Sequence, residues 1–336
     1  MAYTAIDDSE AYFQVQLYTG DGAADNAITL GGDTDMQPDI VWIKNRDATD
    51  AHCLFNSVRG ATKVMHSNVT TAEATDADTL DSFASDGFQV DADVKVNTNA
   101  EKYVAWCWKE STASGLDIVS WTGNITGRTI SHNLSAVTKW IMTFCSDTAK
   151  ARTCYHHKMD ADPDNAGIFM EQTAAPVTST AVYFNNTAPT TSVFSVGAST
   201  NVNNDGSPMF AYVWSEVQGF SKFGSYTGNG NADGTFVYTG FRPAMIIFKQ
   251  SSASGEKWYM FDSKRNPFNL TNELLMANVT DAESVNTTGA PIDILSNGFK
   301  IRGTDAAGNG SGASYIYASW AAAPFVNSEG VPCNAR

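Results

Sequence analysis

The chain has 336 residues, 43% of them hydrophobic, which is more than one typical core organises and suggests two or three domains. Its formal charge of −15 and pI near 4.6 oppose binding to a phosphate backbone, which needs clustered Lys and Arg to release counterions. The acidity reads as solubility and spacing between copies at high local concentration. No run approaches the roughly 18 apolar residues of a membrane span, and the amino terminus MAYTAIDDSEAYF lacks the charged and apolar regions of a signal peptide. Both point to a protein made in a cytoplasm and not exported by the signal-peptide route, without membrane insertion. Charged residues are only 17%, and Gly, Ser, Thr and Asn crowd the spaces between short aromatic and β-branched runs, so the expected class is all-β.

Residues 1–10 carry Asp7, Asp8 and Glu10 with little to bury and read as an arm, either frayed or held by a partner. Tyr12–Tyr18 then alternates as a half-buried strand and turns at Thr19-Gly20-Asp21-Gly22, where Asp-Gly supplies the positive φ of a tight hairpin turn. Gln37–Lys44 has a proline at its entry and four apolar residues in a row, the pattern of a strand covered on both faces. His52–Gly60, Ser85–Val90 and Tyr103–Trp108 complete the set.

The same landmarks recur in order. Tyr226–Gly230 matches Tyr18–Gly22, Arg242–Lys249 matches Gln37–Lys44, and Phe261–Arg265 matches Phe55–Arg59. Asn278–Glu283 repeats Asn68–Glu73, Ser296–Phe299 repeats Ser85–Phe88, and Tyr315–Trp320 repeats Tyr103–Trp108. A more diverged middle copy keeps Trp121–Asn124, Lys139–Phe144, Thr191–Val196 and Met209–Trp214, with a shortened Gly turn and no Asn-x-Thr-x-Ala-Glu element. The period of roughly 105 residues is that of a domain rather than a solenoid repeat. The expected organisation is an arm (1–10), β-sandwich repeats at 11–113, 114–218 and 219–326, and a tail (327–336), with a small-residue linker at Ser111–Gly115 and a tight join at Glu216–Gly219. Each repeat is expected to be an antiparallel sandwich of jelly-roll or lectin-like form.

No reaction centre stands out. Cys53, Cys107, Cys145, Cys154 and Cys333 are odd in number and lack CxxC spacing, so they read as reduced, mostly buried thiols. Asp160, Asp162 and Asp164, with Glu171 further on, are the one weak calcium candidate; the turn glycine is displaced to Gly167 and Pro163 stiffens the loop, so an acidic surface loop is the preferred reading. His156 and His157 are adjacent, so on a strand they point to opposite faces, one packed and one exposed; His52, His66 and His132 have no ligand spacing. Glu73 and Glu283 recur in two copies, as a turn or helix cap would. Trp42, Trp106, Trp140, Trp214 and Trp320 occupy landmark positions, which favours core packing over sugar stacking. Gly228 and Gly230 read as hairpin geometry rather than a phosphate cradle, and no nucleotide fingerprint is present. No cofactor is expected.

The strings GFSKFGSYTGNGNADGTFVYTGFRPAMIIFK, LLMANVTDAE, ILSNGFKIR and ASYIYASWAAAPF resemble a repeat domain of uncharacterised role common in tail and other virion proteins of bacteriophages, marine ones especially. QPDIVWIKNRD, HCLFNSVRGATK, SDGFQV and YVAWCWK resemble the same family, so the likeness covers nearly the whole chain. It implies a non-enzymatic protein displayed on the virion surface and assembled in the host cytoplasm, with other virion proteins and its own copies as partners. The expected role is a tail fibre or appendage subunit that contacts host surface polysaccharide. The alternatives are a head decoration protein and, from another class, a polysaccharide-degrading enzyme on the same scaffold.

Overall fold

The computed structural model describes residues 3–333, and nearly all of their regular structure is antiparallel strand. The helices among them are single turns, such as Val94–Asn97 and Thr200–Asn203. Three six-stranded sheets share one strand order. The first runs Phe13–Thr19, Lys102–Trp108, Ile40–Asn45, Cys53–Asn56, Gly60–Met65, Ala74–Thr75. The second runs Leu116–Thr122, Pro208–Ser215, Thr138–Cys145, Thr153–His156, Ala166–Phe169, Val177–Thr178. The third runs Ser221–Thr227, Ser314–Pro324, Phe241–Gln250, Tyr259–Asp262, Glu273–Met276, Ser284–Val285. In each, the first strand of the segment pairs with its last. Smaller sheets accompany them: Asn26–Thr29, Gly87–Val90 and Leu80–Ala84; Arg128–Ser131 with Val193–Val196; and Phe236–Tyr238, Gly298–Ile301 and Ile292–Leu295.

The unbroken apolar runs follow from burial on both faces. In Ile40–Ile43, Ile40 and Trp42 enter a core common to all three large sheets, while Val41 and Ile43 pack outward with Leu80, Phe88 and Val90 of the small sheet. Period-two alternation sends neighbours to opposite faces, so both must be apolar. Ile246 and Phe248 make the matching outer core of the third segment with Ile292, Ile294 and Phe299.

The common core centres on Trp108, Trp214 and Trp320, one from each large sheet, each 106 residues after the last. Their ring centroids lie 5.2, 5.9 and 6.4 Å apart in edge-to-face contact, which sets the positive edge of one indole against the negative face of the next. Across the ladder, Trp108, Trp214 and Trp320 oppose Ile40, Trp140 and Met245. Trp140 therefore corresponds to Ile40, and Trp42 to Met142. The sequence match of Trp42 with Trp140 is two residues out, a slip that keeps every residue on its own face and so leaves the pattern intact.

The three segments close on one another in a ring. His52, Arg152 and Trp258 precede corresponding strands, and each bonds to the main chain of a neighbouring segment. His52 accepts from Trp42 Nε1 at its Nδ1 (2.9 Å), so its Nε2–H donates to the Met276 carbonyl at 3.1 Å. Arg152 donates to the carbonyls of His66 and Thr71 at 2.9 and 2.6 Å, and Trp258 to Phe169 at 3.0 Å. A second cycle links Asn56 to the Tyr212 hydroxyl, His156 to the Tyr317 carbonyl and Trp106 to the Asp262 carboxylate. Three unlike side chains meet the same need at one position, because the acceptor is a main-chain carbonyl whose place the fold fixes.

Three expectations change. The glycine turns do not join hairpin partners: Phe13–Thr19 pairs with Lys102–Trp108, whereas Asn26–Thr29 pairs with Gly87–Val90, so Gly20–Gly22 and Gly228–Gly230 are crossovers between sheets. A buried asparagine latches each crossover. Asn97, Asn203 and Asn309 are spaced by 106 residues, and Asn309 donates to Asn229 Oδ1, Asn231 O and Gly303 O while accepting from Asn229 N. Gly22 and Gly230 take φ of 69°, and Ile125 takes 54° at the matching place in the middle segment.

The amino-terminal arm is held by its own chain. Ile6 is in the common core, and Thr4 fits against Gly219, whose φ of 81° and missing Cβ make the room. Asp7 accepts from the Ser328 N–H and hydroxyl, tying the arm to the tail. Of the predicted arm and tail, residues 1–2 and 334–336 lie outside the described residues. The Ser111–Gly115 linker is a closed turn, bridged by reciprocal bonds between Ser111 and Leu116 at 3.1 and 3.2 Å.

Candidate functional site

The acids singled out from sequence are drawn apart. Asp160 and Asp162 stand on an exposed loop and accept from local groups, the Asp162 N–H and Asn165 Nδ2. Asp164 accepts from the Tyr155 hydroxyl at 3.0 Å, and burial pushes its carboxyl up. Glu171 accepts from the Arg152 N–H at 3.0 Å. The four oxygens serve separate partners, and among the described residues no group of three His, Cys, Asp or Glu is arranged to hold a metal.

Glu73 and Glu283 are not caps. Glu73 pairs with Arg59, and Glu283 accepts from Arg265 at 2.8 Å and from Arg46 of the first segment at 2.6 Å. Their backbone N–H groups donate across segment boundaries to Ser146 and Arg46 carbonyls, each at 2.8 Å. They recur because they pin the ring. His156 is buried as expected, while His157 is half-buried and bonds to the Phe223 carbonyl at 2.8 Å. Cys53, Cys107, Cys145 and Cys154 are buried free thiols and Cys333 is exposed. The five landmark tryptophans are all in the core.

An open cleft lies elsewhere on the described surface. A cleft of about 310 Å³ separates the arm from the start of the third segment and is walled by Tyr3, Glu216, Gln218, Lys222, Tyr238 and Gly240. The Tyr3 hydroxyl donates to the Gly240 carbonyl at 2.8 Å and lies 3.0 Å from the Tyr238 hydroxyl. Burial, followed by the Tyr238 hydroxyl, pushes the Tyr3 phenol up, so it is a protonated donor at neutral pH. On the other wall Lys222 Nζ pairs with Glu216 at 2.6 Å.

The threefold repetition supplies an internal control. Phe236, Val237 and Tyr238 form the edge strand of the third small sheet, with Val237 opposite Phe299. Ile28 opposite Phe88 and Ile130 opposite Phe194 hold the same place in the other two. The exposed flanks are Ala27 and Thr29 in the first and Thr129 and Ser131 in the second, but Phe236 and Tyr238 in the third, 44% and 53% exposed. The fold builds this strand twice without aromatics, so packing does not demand them. The signal was present in the sequence as the alternation Phe-Val-Tyr, but its oddity shows only once the three edge strands are superposed through their buried central residue.

A different void, about 10 Å³, lies in the common core among residues including Trp108, Trp140, Trp214 and Trp320. Their indole N–H groups have no hydrogen-bond acceptor, and the aromatic faces packed around them are their surroundings.

A family model described as a domain of unknown function, DUF7483, matches residues 8–324. A search of curated proteins finds no match.

Proposed function

The chain belongs to the DUF7483 family, and from that premise we propose that it is a structural protein of a bacteriophage particle, displayed on the surface as a tail fibre or appendage subunit. Two things support the reading: the resemblance carried by the repeated strings, and the ring in which one chain supplies the near-threefold surface that other assemblies build from three chains. The closed cycle of His52, Arg152 and Trp258 contacts is the observation that carries it. Such a body can seat on a threefold partner along a shared axis. Each large sheet with its smaller companion is read as one jelly-roll or lectin-like sandwich, giving the repeats 11–113, 114–218 and 219–326. Other virion proteins and further copies are its partners, and the surface left free meets host polysaccharide.

The same ring favours a second reading, a head decoration protein perched on a threefold or quasi-threefold point of a shell. Imaging intact particles with the protein labelled tests both: density on the tail supports the first reading, density on the head the second, and absence from the particle overturns both. Incubation with host polysaccharide tests the non-enzymatic role, since chain cleavage would overturn it.

A further inference from the structure

Phe236 and Tyr238 lie on one face of an edge strand, because residues two apart share a side. Tyr238 also forms a wall of the cleft, so the exposed platform and the polar recess are continuous. The recess offers a fixed pair of phenol hydroxyls, the Gly240 carbonyl region and the Glu216–Lys222 pair, while the platform offers aromatic faces. A ligand that fits both has one C–H face to lie on an aromatic ring and a rim of hydroxyls to exchange hydrogen bonds, which is the chemistry of a sugar ring. The net charge of −15 works against a polyanionic chain.

The arm is built to complete this site. Tyr3 approaches Gly240, whose φ of 88° and bare Cα let the hydroxyl sit where a Cβ would collide. Thr4 packs on Gly219 at the foot of the same cleft. Neither contact has a counterpart in the first or second segment, since the chain has one amino-terminal arm.

We propose that the cleft between Tyr3 and Lys222, with the Phe236–Tyr238 platform beside it, binds a neutral saccharide of the host surface; this rests on the surface-displayed role proposed above. The full-length chain is titrated with maltohexaose, cellohexaose and mannohexaose, and with hyaluronan as the acidic probe, by ligand-observed NMR and calorimetry. Saturable binding of at least one neutral probe is expected. Tyr238→Ala should weaken it by roughly tenfold or more and Phe236→Ala by a few-fold. Tyr238→Phe should keep most of the affinity, and Thr29→Ala, at the matching place in the first segment, should leave it unchanged.

No neutral binding up to about 10 mM, binding of hyaluronan alone, or equal affinity in Tyr238→Ala would each overturn the proposal. Both substituted positions are exposed, so circular dichroism identical to the parent's confirms that any loss is local. Probing isolated particles with antibody to the chain separates this from the parent reading. A chain present on particles that binds no neutral saccharide leaves the virion role standing and removes the site. A chain that binds saccharide but is absent from particles does the reverse.

Discussion

Arg152 donates through Nε to the His66 carbonyl at 2.9 Å, a bond that ties the second segment to the first where Trp258 and Phe169 tie the third to the second. The guanidinium is fully buried and also serves Thr71 O at 2.6 Å and Lys150 O at 2.8 Å. Arg152→Ala leaves three part-buried carbonyls without their donor and empties a large buried site, and should lower unfolding free energy in urea by about 3 kcal/mol. Arg152→Lys keeps the charge without the fork and should fall between. A loss below about 1 kcal/mol for the alanine variant would show that the bonds are not limiting.

Asn309 faces three acceptors with one amide. Asn309→Asp replaces the donor with a carboxylate aimed at Asn229 Oδ1 and two carbonyls, and at neutral pH should destabilise by about 2–4 kcal/mol. Amide exchange at residues 228–231 should speed up ahead of the rest of the chain. Uniform exchange across the chain would contradict the latch.

His156 sets an acid limit. Its Nδ1 accepts from the Lys158 N–H at 3.2 Å and its Nε2–H donates to the Tyr317 carbonyl, so a second proton has no place to go. Burial, followed by neighbouring His157, pushes its pKa down to about 3. A base with a depressed folded value loses stability as pH falls below its unfolded value, here from 6.5 towards 3. Between pH 7 and 5 this group should cost about 2 kcal/mol. His156→Gln retains a donor for Tyr317 and should show a shallower loss by that amount; parallel curves for the two proteins would exclude the assignment.

Glu110 works in the opposite sense. Its carboxylate accepts from the Ile118 N–H at 2.9 Å, and burial, then Asp117, pushes it up to about 7. An acid with a raised folded value contributes stability at low pH and loses it as pH climbs from 4.5 through 7. Glu110→Gln keeps an acceptor without the charge, so above pH 7 it should be more stable than the parent by about 1 kcal/mol, allowing for the side chain's partial exposure. A parent more stable than the variant at pH 8 would reverse the sign of this account.

Much of the fold was legible because local chemistry repeats: Trp108 and Trp320 each close a six-residue, largely apolar run that opens on a tyrosine, Tyr103 or Tyr315, and Met245–Phe248 matches Ile40–Ile43 as four apolar residues in a row. What escaped was pairing across distance. Gly20–Gly22 carries ordinary hairpin residues, and only the partnership of Phe13–Thr19 with Lys102–Trp108 shows that the chain leaves the sheet there. The shared core was hidden for the same reason, since an apolar strand does not reveal which layer covers each face. The cleft drew no notice because Tyr3 and Tyr238 are 235 positions apart and the lone tyrosine in an arm has no motif. The acidic loop at Asp160–Asp164 did draw notice, yet spacing along the chain says little about where oxygens point once Tyr155 and Arg152 claim two of them.

The Trp108–Trp214–Trp320 cluster gives the molecule a keystone shared by three walls, and no third of the chain covers the inner face of its large sheet without the other two. A protease cut within Ser111–Gly115 would thus sever the polypeptide without freeing a fragment. The pieces would stay bound as a nicked whole, melt together in one transition, and reassemble from separated halves only when both are present.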